Sequence, residues 1–199
     1  MNNFTFHNPT KLVFDRENIL ELPKLLPSGA KILLTFGGGS VKRNGVYEAV
    51  TAQLQGFQTV EFWGIEPNPK VETLRKAIAL GKEERVTFVL AVGGGSVLDA
   101  SKLIVNAISS ERDAWDLVLR GADRSVQTLP LGTVLTIPAT GSEMNRGAVI
   151  SCEATHEKFG FYNEYPRFSI LDPTYTFSLP DYQIACGIAD SFVHVVEQY

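Results

Sequence analysis

Twice in this chain a continuous apolar run ends in Gly-Gly-Gly-Ser. Ala30-Lys-Ile-Leu-Leu-Thr-Phe36 leads into Gly37, Gly38, Gly39 and Ser40, and Arg85-Val-Thr-Phe-Val-Leu-Ala-Val92 leads into Gly93, Gly94, Gly95 and Ser96. An apolar run bounded by glycines reads as a buried parallel strand, and after the second one Leu98, Lys102, Ile104, Val105 and Ile108 recur close to helical spacing. The unit is strand, glycine turn, helix. Successive glycines let the backbone turn tightly and approach a ligand, and Ser96 is placed to cap a helix whose free amides attract anions. The pattern predicts a phosphate at that turn, although a glycine-rich turn that binds nothing carries the same letters.

The segments between and around these units alternate in kind. Asn18 to Leu26 reads as a short helix, Gly45 to Leu54 as a helix carrying Val46, Val50 and Leu54, and Gln58 to Trp63 as a strand. Gly64-Ile-Glu-Pro-Asn-Pro69 makes a rigid turn, and Val71 to Lys82 is a helix with Leu74, Ile78 and Leu80 near its buried side. A short helical stretch is expected at Trp115 to Leu119 and a strand at Val134 to Pro138, ending in the polar turn Ala139-Thr-Gly-Ser-Glu143. Ala148–Ser151, Lys158–Tyr162 and Phe168–Leu171 alternate as hairpin strands do. Such an order predicts an α/β fold, a Rossmann-like parallel sheet with helices on both faces whose ligand sits at the carboxyl ends of the strands. The segments Phe4 to Phe14, extended around Asn8-Pro9, are expected to cover a sheet edge or pair with a partner subunit, so a dimer is plausible.

A boundary falls at Asp172 to Pro180, after which Ile184, Ile188, Phe192, Val195 and Val196 follow helical spacing. A different region is therefore expected to begin at Asp181, with a helix that runs to the last residue given. On that helix Asp190 and His194 lie four apart and project from one face. A carboxylate and an imidazole so placed can hold a divalent metal, and a hydrogen-bonded surface pair has the same spacing. Two further ligands would be needed, and nothing in the sequence aims His7 or His156 at His194.

With 199 residues, 44% of them hydrophobic, the chain can bury a core, and a net charge of −4 without a long basic run recommends neither nucleic acid nor an anionic membrane as a partner. No apolar run is long enough to span a membrane, and the first residues lack the character of a signal peptide, so a cytoplasmic protein is expected. Cys152 and Cys186 lie far apart, outside any CxxC pattern, which argues against a disulfide framework or a zinc knot.

Four stretches in this order, Phe62-Trp-Gly-Ile-Glu-Pro-Asn-Pro69, Ala91-Val-Gly-Gly-Gly-Ser-Val-Leu-Asp-Ala-Ser-Lys102, Pro138-Ala-Thr-Gly-Ser-Glu143 and Gly187-Ile-Ala-Asp-Ser-Phe-Val-His-Val-Val-Glu-Gln-Tyr199, resemble the iron-containing, metal-dependent (group III) alcohol dehydrogenases, within them the NADPH-dependent aldehyde reductase and butanol dehydrogenase branch. The resemblance implies two domains, residues 1–180 as an α/β dinucleotide-binding domain and residues 181–199 as the first helix of an all-helical metal-binding domain that is cut off, with the active site between them. By the same resemblance Gly94, Gly95 and Ser96 hold the cofactor pyrophosphate with Asp99 behind them. Thr136, Thr140, Asn145 and Lys158 line the adenosine and ribose, Leu179 lies near the adenine, and Asn68 joins the cofactor-binding set. Asp190 and His194 match the first two of four metal ligands, the others being histidines further along the helical domain.

The implied reaction is hydride transfer between a nicotinamide cofactor and an aldehyde or primary alcohol, with one divalent metal (iron, zinc or manganese) as Lewis acid. An acidic residue near the ribose 2′-hydroxyl favours NAD(H) and repels a 2′-phosphate. Here the turn is Gly37-Gly38-Gly39-Ser40, followed by Lys42 and Arg43, which predicts NADP(H), unless those two side chains merely face solvent. The expected partners are a small aldehyde or alcohol and a second copy of the chain. The rival readings are a nucleotide-binding module without turnover and another member of the superfamily, such as a glycerol dehydrogenase or a dehydroquinate-synthase-like lyase.

Overall fold

The computed structural model describes residue 3 and residues 5–199. Phe4, part of the expected N-terminal extended segment, lies outside them. Among the described residues eight strands form: β1 (Lys11–Phe14), β2 (Lys31–Phe36), β3 (Gln58–Phe62), β4 (Phe88–Gly93), β5 (Leu131–Leu135), β6 (Gly147–Cys152), β7 (Glu157–Tyr162) and β8 (Phe168–Leu171). The α-helices of the described residues are α1 (Leu22–Leu25), α2 (Ser40–Arg43), α3 (Val46–Gln53), α4 (Val71–Glu83), α5 (Gly95–Ser109), α6 (Ala114–Arg120) and α7 (Asp181–Val196). The expected first helix is split into a 3-10 turn, Asn18–Glu21, and α1, which carries Pro23 in its first turn where a missing amide costs no hydrogen bond.

Six strands make one wholly parallel sheet in the order β1-β8-β5-β4-β2-β3. Side chains alternate along each strand and so divide into two cores. Leu33, Val89, Ala91, Leu131 and Leu135 face α4, α5 and α6, while Ile32, Leu34, Phe36, Phe88, Leu90, Val92, Val134 and Ile170 face α1 and α3. Helices therefore cover both faces, as the strand–helix alternation predicts.

Two expectations are corrected. Phe168–Leu171 is not a hairpin strand: it lies parallel between β1 and β5, and only β6 and β7 pair antiparallel. The strand expected at Val134 to Pro138 starts three residues earlier, at Leu131, and ends at Leu135, because Val89–Gly93 of β4 pairs with Leu131–Leu135. The N-terminal strand β1 covers a sheet edge, one of the two placements expected of it, by pairing with β8 of its own chain. Gly132 explains the shift of β5. A Cβ there would run into the Phe168 ring, which itself stacks near Phe88 at 6.0 Å between centroids. Gly132→Ala should therefore overpack this contact and lower stability by about 1–3 kcal/mol, read as a lower urea midpoint.

Chain order and spatial order part company at β2. From β2 the chain moves outward to β3, then returns to lay β4 on the other side of β2 and continues to β5. The crevice beyond the carboxyl ends of β2 and β4 is thus the topological switch point, where open α/β sheets bind their ligands. No helix among the described residues is long and apolar enough to cross a membrane.

Candidate functional site

Both glycine turns lie at the switch point. Phe36 pairs with Val92, so Gly37 to Ser40 and Gly93 to Ser96 leave neighbouring strands side by side. The second turn owes its glycines to close approach rather than to backbone strain, since Gly94 is extended (φ −86°) and none of the three has a left-handed φ. A Cβ on Gly93 would lie 2.8 Å from a Val97 methyl and one on Gly94 2.6 Å from Ile137. Gly94 is the N-cap and α5 begins at Gly95, so Ser96 stands inside the first turn and does not cap, contrary to expectation. Val97 and Leu98 donate to the Gly94 carbonyl, which leaves the amides of Gly95 and Ser96 at the helix start pointing outward. In the first turn Gly39 does require its residue type, at φ +96°.

The polar turn after β5 closes the other side of the crevice. Thr136, buried, donates its amide to the Gly93 carbonyl at 3.0 Å. The Thr140 hydroxyl lies 3.1 Å from where a Cβ on Gly95 would stand. Asp99 turns both carboxylate oxygens to the neighbouring chain, accepting from the Ser142 hydroxyl and from the Val149 amide at 2.9 Å. Asn145 is likewise engaged: its Oδ1 accepts from the Gly147 amide at 2.9 Å, and its Nδ2 reaches the Thr140 carbonyl at 3.3 Å.

Under this turn sits a residue that the sequence placed on the apolar face of α5 without giving it a role. Lys102 is fully buried, and its ammonium donates to Ser142 Oγ at 2.8 Å, Asn145 Oδ1 at 2.9 Å and the Gly147 carbonyl at 2.6 Å. Ser142 thus accepts from Lys102 and donates to Asp99, linking cation to carboxylate through one hydroxyl. Burial pushes the Lys102 ammonium down to about 8, against the opposing pull of Asp99 and Glu143. The signal available in the sequence was a lysine at an apolar helical position, which in a folded protein demands partners.

Lys158 and Asn68 are brought to each other, Nζ to Oδ1 at 2.7 Å, across the hairpin β6–β7 and the turn before α4. Asn68 holds a left-handed φ of 54°, which asparagine tolerates. That turn is tied to the first glycine turn by Gly64 N–H to the Gly37 carbonyl (3.2 Å) and Ile65 N–H to the Phe36 carbonyl (3.1 Å).

A groove of about 1000 Å³ runs between Ile137–Ala139 and α7, with Leu179 and Asp190 among its walls. His194 lies one turn beyond, its Nε2 3.6 Å from Asp190 Oδ1, and both side chains are more than half exposed. An oxygen and a nitrogen donor at this spacing suit a divalent zinc, iron or manganese ion. The other ring nitrogen of His194, Nδ1, lies 3.8 Å from Glu197 Oε2, but among the described residues no three His, Cys, Asp or Glu side chains are arranged to hold a metal ion, so Asp190 and His194 fit half of a four-ligand set. All of Asp181 to Tyr199 is exposed, including Ile184, Ile188, Phe192 and Val196.

The family model for iron-containing alcohol dehydrogenase matches residues 9–173. The NADPH-dependent aldehyde reductase YqhD of Escherichia coli is 48% identical over 203 residues, and the probable NADH-dependent butanol dehydrogenase 1 of Bacillus subtilis is 48% identical over 204; each alignment covers 100% of this chain and 52% of the relative. The crystal structure of NADH-dependent butanol dehydrogenase A from Thermotoga maritima superposes with a TM-score of 0.91 at 42% identity, covering 99% of this chain and 51% of that one. The chain spans about half the length of the curated relatives it matches.

Proposed function

The chain belongs to the iron-containing alcohol dehydrogenase family, and on that premise we propose that the whole protein is a metal-dependent oxidoreductase transferring hydride between NADP(H) and an aldehyde/primary alcohol pair. The observation that carries the reading is the groove whose walls include both Ile137, packed against Gly94 of the cofactor turn, and Asp190 of the metal pair. Cofactor and metal residues thus border one open space. The outward amides of Gly95 and Ser96 receive the pyrophosphate, and Lys102 and Asp99 hold the Thr140–Asn145 turn beside it. Lys158 and Asn68 border the ribose, and Leu179 supplies an apolar wall for the adenine. Asp190 and His194 would hold the metal, which when bound acts as a Lewis acid on the aldehyde oxygen.

The helix α7 then belongs to a second, helical domain, a reading supported by its run of exposed apolar side chains. A homodimer through the sheet edge is supported by exposed Leu12 and Phe14 on β1 and is tested by light scattering.

NADP(H) is favoured over NAD(H) because the turn from Gly37 to Ser40 carries no carboxylate and is followed by exposed Lys42 and Arg43. The relatives' names divide between NADPH and NADH at equal identity, so overall similarity does not decide the matter. Aspartate at position 39 would face a 2′-phosphate with a negative charge. Gly39→Asp should shift the ratio of kcat/KM for NADPH over NADH toward NADH by about tenfold or more. The left-handed φ of 96° also costs any side chain, aspartate less than most, so a small loss of stability accompanies the shift.

The deciding experiment is NADPH oxidation with butanal after metal removal and re-addition of zinc, manganese or ferrous iron. Metal-dependent turnover supports the proposal; folded protein that binds NADPH yet turns nothing over with any metal supports a nucleotide-binding module instead.

A further inference from the structure

Lys42, an exposed residue on a short helix, does not stand free in solvent. Its ammonium lies over the Trp63 ring, 4.0 Å from the centroid, and 5.1 Å from the Tyr47 centroid. Trp63 is itself braced. It stacks on Phe36 with centroids 4.1 Å apart and planes 14° apart, and Phe36 is fully buried as the last residue of β2 before the glycine turn. Its indole Nε1–H donates to Glu61 Oε2 at 2.8 Å, and the Tyr47 hydroxyl donates to Glu61 Oε1 at 2.8 Å. Tyr47 closes the bracket edge-on to Phe36 at 5.7 Å.

Two consequences follow from this packing. Both oxygens of Glu61 are turned to Trp63 and Tyr47, and the hydrogen bond to Glu61 pushes the Tyr47 hydroxyl up, so it stays a donor. Among the described residues Lys42 forms no ion pair, so its charge is aimed but not neutralised. A free lysine must surrender rotamer freedom to meet an anion; one already resting on an aromatic face surrenders less. The bracket stands at the mouth of the Gly37–Ser40 turn, because the backbone of Gly64 and Ile65, next to Trp63, is hydrogen-bonded to Gly37 and Phe36.

We propose that Trp63 is a specificity-determining positioning residue, holding Lys42 beside the Gly37–Ser40 turn as the receptor for the 2′-phosphate of NADP(H). The inference rests on the cofactor assignment made above. Trp63 touches no phosphate, and its effect on cofactor choice passes through the lysine. Arg43, next along the chain, has no such aromatic platform among the described residues.

The test measures dissociation constants for NADPH and NADH by nicotinamide fluorescence in the parent protein, Lys42→Met, Trp63→Leu, Trp63→Phe and the Lys42→Met/Trp63→Leu double variant. Lys42→Met should weaken NADPH by about tenfold, the loss of one charge-assisted contact, with NADH unchanged. Trp63→Leu should weaken NADPH by about three- to fivefold, the loss of an exposed cation–π contact, again with NADH unchanged. Trp63→Phe, which keeps a weaker aromatic face, should fall between. The double variant should be no worse than Lys42→Met, because the tryptophan acts only through the lysine. Trp63→Leu weakening both cofactors alike, or leaving the NADPH/NADH ratio at the parent's value, would overturn the inference while the NADP(H) assignment stands. A parent protein that binds NADH as tightly as NADPH would overturn both.

Discussion

Alanine in place of either Asp190 or His194 is expected to lower metal-dependent aldehyde reduction by about a thousandfold or more, the loss of several kcal/mol of charge stabilisation at the reacting oxygen. The fold should not suffer. The two side chains are 52% and 64% exposed, touch each other at 3.6 Å, and contribute nothing to either core. NADPH affinity should stay within about twofold of the parent, because the glycine turns stand on β2 and β4, whose packing owes nothing to α7. Zinc competition against a chromophoric chelator reports the same loss without reference to turnover. Full activity in either variant would remove these residues from the metal site and with them the assignment of α7.

Lys102→Met carries the second large effect. Methionine matches the lysine stem and fills the same space on α5, so no cavity opens. What disappears is the donor: Ser142 keeps Asp99 and Asn145 keeps the Gly147 amide, but the Gly147 carbonyl loses the 2.6 Å bond from Lys102. Removing one side of a buried charge network costs about 3–5 kcal/mol; relief of the buried charge offsets part of it, so a net loss of about 2–3 kcal/mol is expected. A looser Thr140–Asn145 turn should also weaken NADPH binding. The pH dependence is distinctive. Burial holds the folded-state value at about 8, below the ordinary 10.5, so between these values the unfolded chain binds a proton that the folded one has released. Lys102 therefore makes stability rise as pH rises through that window and withholds this contribution as pH falls through 8. Urea midpoints measured from pH 7 to 10.5 should show the rise in the parent and lack it in Lys102→Met.

Sequence pattern reveals most where a residue's neighbours share its chemistry. The runs around Leu33 and Leu90 are apolar on both faces, so β2 and β4 are legible as central strands, and the glycines behind them mark the switch point. Phe168-Ser-Ile-Leu171 misleads because Ser169 mimics a solvent-facing position. In the fold it is fully buried, bonded to the Thr133 hydroxyl at 2.7 Å and the Glu143 carbonyl at 2.6 Å, partners that lie 36 and 26 residues away. The shift of β5 has the same origin: Gly132 argues against a strand by propensity, yet Phe168 needs it there. Within the candidate site, the glycine turns and the four-residue spacing of Asp190 and His194 are local patterns, visible in the sequence whatever they bind. The surroundings of Lys102 and Trp63 are not, because each acquires meaning only from groups the fold delivers, 40 to 45 residues away for Lys102 and 21 for the Trp63–Lys42 pair.

The placement of β8 also sets a schedule for synthesis. Lys11 of β1 lies in register with Phe168 of β8, 157 residues later in the chain (168 − 11), and β5 too lacks its outer neighbour until β8 is made. At a ribosomal pace of about 5–20 residues per second, the interval between the two strands is on the order of 8–30 s. Through that time β1 has nothing to pair with, and one side of β5 presents unpaired backbone. A nascent chain in this condition exposes strand edges, and the sheet closes only when the last of its six strands has left the tunnel.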